Sequence, residues 1–262
     1  MLARAILVFA ATAGCVLAQP APQFDEFEVA IIKPAADNNG RFIRMQSAHQ
    51  FFAKNHSVKT LIAAAYNLNP HAIAGGPPWI ESERFDITAK TPGDTRPNLD
   101  QQMAMLRRLL TDRFQLTFHR EPREMSIFAL TIAKGGPKLK LTTLSADSFP
   151  QGPPPLIFVV SPDIVRLPAR YATAAEFAWV LQRATLDYPV VDRTGLTARY
   201  DFDLEFAPDE TVFGGALGKG PEEPTKPGLL AAVQQQLGLK LEATKGPVDV
   251  LVIDRATRPA EN

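Results

Sequence analysis

The chain has 262 residues with 28 basic and 28 acidic side chains, so its formal net charge at pH 7 is zero. Proteins that bind nucleic acid normally carry a basic excess that neutralises phosphates, so this composition argues against a nucleic-acid partner. Hydrophobic residues make up 45% of the chain, which is enough to bury a full core. A single cysteine excludes a disulfide framework.

The first 18 residues have the composition of an export signal. Arg4 gives a short basic start, residues 5–13 are apolar, and small residues lead up to Ala18 as a cleavage position. The apolar run is too short to cross a bilayer, which takes about 20 residues. Cleavage would remove Cys15, whereas an alternative interpretation as a lipoprotein box would make Cys15 a lipid anchor. The sequence therefore predicts an exported protein in the periplasm, on the cell surface or outside the cell, without a transmembrane segment after signal removal.

Residues 19–134 are predicted to form an N-terminal half with a first strand and two α-β-β units. In chain order we expect a strand at 27–33, a hairpin over 41–57, a helix at 58–67, strands near 71–74 and 84–90, a helix from Asp100, and a strand, turn and strand over 114–134. Ser57 is the expected N-cap of the first helix, because its hydroxyl can accept a bond from a free backbone N–H.

A Gly/Pro-rich segment at 135–161 is predicted to be a linker, and the pattern then restarts. The C-terminal half, 162–262, is predicted to hold two more α-β-β units with a flexible insertion at about 207–227. We expect a helix that begins at a capping box of Thr173 and Glu176, strands near 188–191 and 199–206, and a final helix, strand, turn and strand over 229–255.

The two halves repeat one another in sequence. Arg84-Phe85-Asp86 and Arg199-Tyr200-Asp201 follow Ser57 and Thr173 at spacings that differ by one residue. This repeat predicts an internal duplication, and each helix with one apolar stripe must cover a sheet. We therefore predict an α+β fold of two pseudo-symmetric halves, with mainly antiparallel sheet and helices packed on one side. Phe85 and Tyr200 should both be buried.

Five side chains are candidates for ligand binding: Trp79, Arg84, Asp86, Arg199 and Asp201. On a strand, the Arg and Asp of each triplet point to the same face, and the aromatic residue points to the other. The two pairs could frame a polar ligand near the pseudo-symmetry axis, or each pair could hold a turn in place. Trp79, in GGPPWI, could be an exposed stacking surface for a carbohydrate or a peptide, or it could cover a helix.

The motifs of common catalytic and cofactor sites are missing from the sequence. The four histidines do not have metal-ligand spacing, no serine lies in a GxSxG elbow, and the glycine-containing loops lack the P-loop pattern. We predict no metal and no cofactor. The rival hypothesis is a periplasmic or secreted hydrolase that uses the carboxylates of Glu81, Glu83 and Asp86, with two of them flanking a cleft.

Several segments occur in an order that is similar to one family: GGPPWIESERFDITAK, LLTDRFQLTFHRE, VVDRTGLTARYDF and QLGLKLEATKGPVDVLVIDR. They resemble the soil-associated exported proteins of acidobacteria, a DUF3738-like domain of unknown function, over essentially the whole chain after residue 27. The resemblance implies no activity. In some relatives the domain is joined to a membrane metallopeptidase, which implies sensing or interaction. We therefore expect a non-catalytic binding, interaction or sensing module whose partner is an envelope protein or polymer.

Overall fold

A computed structural model describes residues 24–36, 40–149, 154, 156–185, 188–215 and 217–260. The predicted signal at 1–18, including Cys15, lies outside these residues. Within them the mixed α and β content is confirmed, with five α-helices and twelve strands. The helices are α1 (Val58–Tyr66), α2 (Trp79–Ser82), α3 (Leu99–Phe114), α4 (Ala174–Thr185) and α5 (Leu229–Leu237). The strands are β1 (Val29–Pro34), β2 (Phe42–Met45), β3 (Gln50–Ser57), β4 (Ile73–Gly75), β5 (Arg84–Lys90), β6 (Thr117–Ile132), β7 (Lys140–Leu141), β8 (Val159–Val160), β9 (Val165–Ala172), β10 (Val190–Asp192), β11 (Tyr200–Phe206) and β12 (Leu239–Arg255).

The strands of the described residues form three four-stranded sheets. The N-terminal sheet has the order β1-β5-β3-β2, and the C-terminal sheet has the order β7-β11-β9-β8. The third, which we call the shared sheet, has the order β10-β6-β12-β4 and takes strands from both halves. Strands β7 and β8 belong to the segment that the sequence predicted as a linker.

Corresponding strands occupy corresponding places in these sheets. Each strand of the N-terminal sheet has its counterpart six strands later in the C-terminal sheet. In the shared sheet, β10 is likewise the counterpart of β4 and β12 the counterpart of β6, with one member of each couple on either side of the sheet. The recurrence agrees with the repeat in the sequence. Descent from an internal duplication stays a prediction from that repeat.

The long strands β6 and β12 correct two of the predicted turns. Each was expected to be a strand, a turn and a second strand, whereas each is one continuous strand, of 16 and 17 residues. They pair antiparallel from Leu239 opposite Ile132 to Arg255 opposite Thr117, with one irregularity near the end. The polar stretches that suggested turns are instead exposed parts of a paired ribbon, because each backbone finds its hydrogen bonds in the other strand.

The two strands predicted near 71–74 and 84–90, which belong to one α-β-β unit, do not pair with each other. Strand β4 pairs parallel with β12 in the shared sheet, and β5 pairs antiparallel with β1 and β3 in the N-terminal sheet. Gly75 and Gly76 both have positive φ, of 74° and 75°, and the short helix α2 follows them. This turn redirects the chain between sheets, and a glycine conformation of this kind is costly for other residues.

Each half encloses its own hydrophobic core. Leu61 and Phe85 lie in the N-terminal core, and Phe177 and Tyr200 lie in the C-terminal core. All four are buried, as was predicted for Phe85 and Tyr200. The long strands cross between the cores: Leu251 near the end of β12 packs in the N-terminal core. A fully buried Leu or Phe stabilises the folded state by about 1.5–3 kcal/mol. Burying the end of a strand from one half in the core of the other half therefore stabilises the association of the two halves.

Helix starts are the best-predicted local features. Ser57 caps α1 and accepts a bond from the backbone N–H of Thr60 at 3.3 Å. The predicted capping box is present: Glu176 N–H donates to the Thr173 hydroxyl at 3.1 Å, and Thr173 N–H donates to the Glu176 carboxylate at 2.8 Å. The expected hairpin over 41–57 is confirmed by the antiparallel pairing of β2 and β3.

Two glycines with the same backbone conformation allow a controlled test of packing after α5. Gly238 (φ 63°) ends α5, and a Cβ there would meet the carbonyl oxygen of Gly136, whereas a Cβ on Gly195 (φ 70°) would meet nothing within 4 Å. We expect Gly195→Ala to cost about 1 kcal/mol from the left-handed backbone alone. Gly238→Ala should cost on the order of 3 kcal/mol, because backbone must also move. Urea unfolding of both variants measures the difference, and equal costs would contradict the close contact.

Candidate functional site

Strands β3 and β9 each contain a residue in the left-handed conformation, next to the helix that follows. These residues are Asn55, with φ 57°, and Tyr171, with φ 59°. The strand pairing shifts its register at these points, between Ala53 and His56 in the N-terminal half and opposite Tyr200 to Phe202 in the C-terminal half. Such a bulge leaves the backbone groups of the extra residue without ladder partners.

In the N-terminal half, Arg84 and Asp86 satisfy the bulge. Asp86 Oδ1 accepts a hydrogen bond from the backbone N–H of Asn55 at 2.8 Å, and Arg84 Nη1 donates to the Asn55 carbonyl at 3.3 Å. Both groups can act together because the two side chains lie on the same face of β5. We call this arrangement the N-terminal clamp.

Arg199 and Asp201 form the same arrangement in the C-terminal half, the C-terminal clamp. Asp201 Oδ1 accepts from the backbone N–H of Tyr171 at 2.9 Å, and Arg199 Nη1 donates to the Tyr171 carbonyl at 2.6 Å. The N–H of Tyr171 is the main reason that the pKa of Asp201 lies below its usual value. Each Arg–Asp pair thus holds a backbone bulge, and the two pairs lie in separate sheets.

The C-terminal clamp is closed by further side chains. Glu176 Oε2 accepts from Arg199 Nη1 at 3.2 Å, and the guanidinium of Arg199 lies over the ring of Tyr171, 4.4 Å from its centroid. The ring of Phe149 packs against Tyr171 with a centroid separation of 5.3 Å. The guanidinium group of Arg199 is therefore in contact with a carboxylate on one side and with an aromatic ring on another.

The N-terminal clamp lacks both of these groups in its sequence. Asn55 stands where the C-terminal half has Tyr171, and Thr60 stands where it has Glu176, since Thr60 is bonded to its helix cap as Glu176 is to its own. A cleft of about 360 Å³ lies here, and its lining residues are Gly40, Arg41, Asn55 and Arg84. We call it the arginine cleft.

The arginine cleft is positively charged. Both Arg41 and Arg84 are exposed, and in the part of the chain that the structure describes neither forms an ion pair. Asp86 is close in the chain, but it is held by the Asn55 backbone and does not line the cleft. Two unneutralised guanidinium groups facing one cleft give a site that can attract and bind an anion.

His56 follows Asn55 in β3 and is close enough to Arg41 and Arg84 to be affected by their charges. It is buried, and its Nδ1 lies 3.1 Å from Thr60 Oγ1. Burial, followed by the positive charge of Arg41 and more weakly that of Arg84, lowers the pKa of His56 to about 4, although the carbonyl of Phe42 acts in the opposite direction. His56 is therefore neutral near pH 7 and does not add a third positive charge.

Trp79 does not provide the exposed stacking surface that was one of its two interpretations. The residue is only 9% exposed and packs edge-on against Phe85, with ring centroids 6.4 Å apart. The guanidinium of Arg258 covers it at 5.2 Å from the ring centroid. Trp79 is therefore part of the N-terminal core.

The three carboxylates of the hydrolase hypothesis have separate partners. Glu81 pairs with Lys59 at 2.8 Å, whereas Glu83 pairs with Arg258 at 2.6 Å. The bond from Arg258 lowers the pKa of Glu83, which is opposite to the shift that a general acid needs. Asp86 holds the Asn55 bulge. The structure does not bring the three together at one cleft.

Sequence reasoning found Arg84 but missed Arg41, Asn55 and Gly40. A signal was present in the repeat itself: aligning Ser57 with Thr173 shows Thr60 opposite Glu176, which marks a clamp without its acidic partner. Nothing comparable pointed to Arg41, because its position beside the bulge depends on how the β2–β3 hairpin folds back.

Two further properties of the described residues bear on the site. Across those ranges, no group of three or more His, Cys, Asp or Glu side chains is placed to hold a metal ion. No helix in the same ranges has both the length and the apolar character that crossing a bilayer requires.

Comparison with known proteins places most of the chain in one family. The model of a family described as "Protein of unknown function (DUF3738)" matches residues 59–256. No curated protein and no solved structure matches the chain. The matched region includes Arg84 and both residues of the C-terminal clamp, and it begins after Asn55.

The burial of neutral His56 predicts a pH dependence of stability. Because the unfolded state binds the proton near pH 6.5 and the folded state only near pH 4, the free energy of unfolding should fall as pH drops through this window. The full change attributable to His56 is roughly 3 kcal/mol. Urea unfolding between pH 7 and pH 4 should show this slope in the wild type and in the surface variant His71→Gln. It should be smaller in His56→Gln by the contribution of this histidine, most clearly between pH 7 and pH 5, and an unchanged slope there would contradict the assignment.

Proposed function

The chain belongs to the DUF3738 family of proteins of unknown function, and we propose from its own residues that it is an exported, non-catalytic binding module. Its ligand is anionic and binds in the arginine cleft. The one observation that carries this proposal is the pair Arg41 and Arg84, which line a cleft and have no ion-pair partner among the described residues. Guanidinium groups bind carboxylates and phosphates through paired N–H donors, so they select oxyanions.

Asn55 gives independent support for a binding site. It is only 5% exposed, it lines the cleft, and within the described residues its Oδ1 has no hydrogen-bond partner. A buried polar atom without a partner costs free energy, and a hydrogen-bond donor of a ligand in the cleft would remove that cost at Asn55. The cleft volume of about 360 Å³ is at the small end for ligand sites, which suits a small molecule or one group of a larger ligand.

A binding role is favoured over hydrolysis by the placement of the acidic groups. A glycosidase-type mechanism needs two carboxylates across one cleft, and one of them must have a raised pKa. Glu81 and Glu83 instead pair with Lys59 and Arg258, and the pKa of Glu83 is lowered. The residues that line the arginine cleft include no acid or nucleophile.

The proposed location rests on the sequence. The signal-like residues 1–18 support export to the periplasm, the cell surface or the exterior. The resemblance to the soil-associated exported proteins of acidobacteria supports the same location and a binding or sensing role in the cell envelope. An envelope protein or polymer that displays acidic groups is a partner that suits a positively charged cleft.

We expect Arg84→Gln and Arg41→Gln each to weaken anion binding by about tenfold, because each removes a charge-assisted hydrogen bond. Isothermal titration of the purified protein with succinate and with inorganic phosphate at low ionic strength measures this loss. Binding should weaken further as salt rises toward 0.15 M, where the screening length is about 8 Å.

Arg199→Gln is the matched control for this experiment. It removes the equivalent arginine of the closed C-terminal clamp, so it should lower stability without changing anion affinity. If the two cleft variants bind both anions as the wild type does, or if the wild type binds neither, the arginine cleft is not the ligand site.

Export gives a separate expectation. When the full chain is expressed in a Gram-negative host, the protein recovered from outside the cytoplasm should begin at Gln19, because cleavage follows Ala18. Mass spectrometry of the intact protein checks this. A mature chain that begins at a lipid-modified Cys15 would establish anchoring instead, and an unprocessed cytoplasmic chain would contradict export.

A further inference from the structure

The two clamps differ in one acidic residue, and this difference points to the chemistry of the ligand. In the C-terminal half Glu176 is the third residue of α4, and its carboxylate reaches Arg199 with Oε2 at 3.2 Å and Oε1 at 3.5 Å. In the N-terminal half the same helix position is Thr60, whose hydroxyl donates to the Ser57 carbonyl at 2.9 Å. Among the described residues, Arg84 thus lacks the carboxylate that its counterpart Arg199 receives from Glu176.

We propose that the arginine cleft binds a carboxylate group of the ligand in the position that the Glu176 carboxylate takes relative to Arg199. The inference rests on the proposed function, since it specifies which anion that cleft takes. The ligand carboxylate accepts hydrogen bonds from Arg84, and Arg41 adds a second guanidinium on the same cleft. The carboxylate comes from a small organic acid or from an acidic side chain of a peptide.

The surroundings of the cleft fit this assignment. Asn55 replaces Tyr171, so the ring that covers Arg199 at 4.4 Å has no counterpart over Arg84. The smaller side chain leaves Arg84 accessible from the solvent side. The backbone bond between Arg84 Nη1 and the Asn55 carbonyl still holds the guanidinium in the clamp, which reduces the conformational freedom that binding would otherwise remove.

Thr60→Glu tests the position directly, because it supplies the missing carboxylate from within the chain. The variant creates a Ser-x-x-Glu capping box at the start of α1, as in the C-terminal half, so the helix start is preserved. The new carboxylate should pair with Arg84 and compete with the ligand. The Gln side chain has nearly the same size as the Glu side chain but carries no charge, so Thr60→Gln is the matched control.

The probes are succinate, its neutral analogue succinamide, tri-glutamate, inorganic phosphate and sulfate, titrated into the folded chain at low ionic strength. We expect the wild type to bind succinate, tri-glutamate or both at least about tenfold more tightly than phosphate or sulfate, and succinamide not measurably. Thr60→Glu should weaken carboxylate binding by about tenfold or more, whereas Thr60→Gln should stay within about threefold of the wild type. If succinate binds, a small organic acid is sufficient as the ligand. If only tri-glutamate binds, the carboxylate comes from an acidic peptide.

The outcomes separate this inference from the proposed function. If phosphate and sulfate bind as tightly as the carboxylates, the cleft is a general oxyanion site, and the carboxylate assignment is wrong while the anion-binding function stands. The same conclusion follows if folded Thr60→Glu binds succinate like the wild type. If no anion binds the wild type, the proposed function itself fails. Circular dichroism and thermal unfolding establish that the variants are folded, and the comparison of succinate with succinamide needs no variant.

Discussion

The antiparallel pairing of β6 with β12 is the interaction on which the rest of the structure depends. Each strand leaves its own half after a helix and ends in the core of the other half, so Leu130 packs with the C-terminal core and Leu251 with the N-terminal core. Neither core is complete without a strand from the other half. The two halves are therefore held together because each contributes the end of a long strand to the core of the other. The edge strands β4 and β10 extend the same sheet on opposite sides.

The two clamps are the same local arrangement of an Arg–Asp pair and a backbone bulge, found once in each half. A left-handed residue before a helix needs partners for its backbone N–H and C=O, and an Arg–Asp pair on the neighbouring strand provides both. In the C-terminal half Glu176 and Tyr171 complete the arrangement from within the chain. In the N-terminal half the same backbone geometry is kept and the arginine stays exposed to solvent. Holding the bulge is a structural role common to both, and the binding that we propose belongs to the N-terminal clamp alone.

The sequence was most informative where the physics is local. The N-cap Ser57 and the capping box at Thr173 were predicted because a side-chain oxygen within three residues satisfies a free N–H. The burial of Phe85 and Tyr200 followed from strand alternation. The polar middle of β6 was misread as a turn because a ribbon exposed on its surface has the composition of a loop, and its backbone partner lies more than a hundred residues away in β12.

The sequence by itself determined the composition of the protein, the repeat between its halves, the helix starts and the Arg–Asp pairs, because each of these depends on residues close together in the chain or on their order. Only the tertiary structure decided that the halves exchange strands, that Trp79 is covered by Arg258, and that Arg41 joins Arg84 at one cleft. These are contacts between distant segments, and their free energy depends on how sheets and helices pack. No pattern within a window of the sequence contains that information.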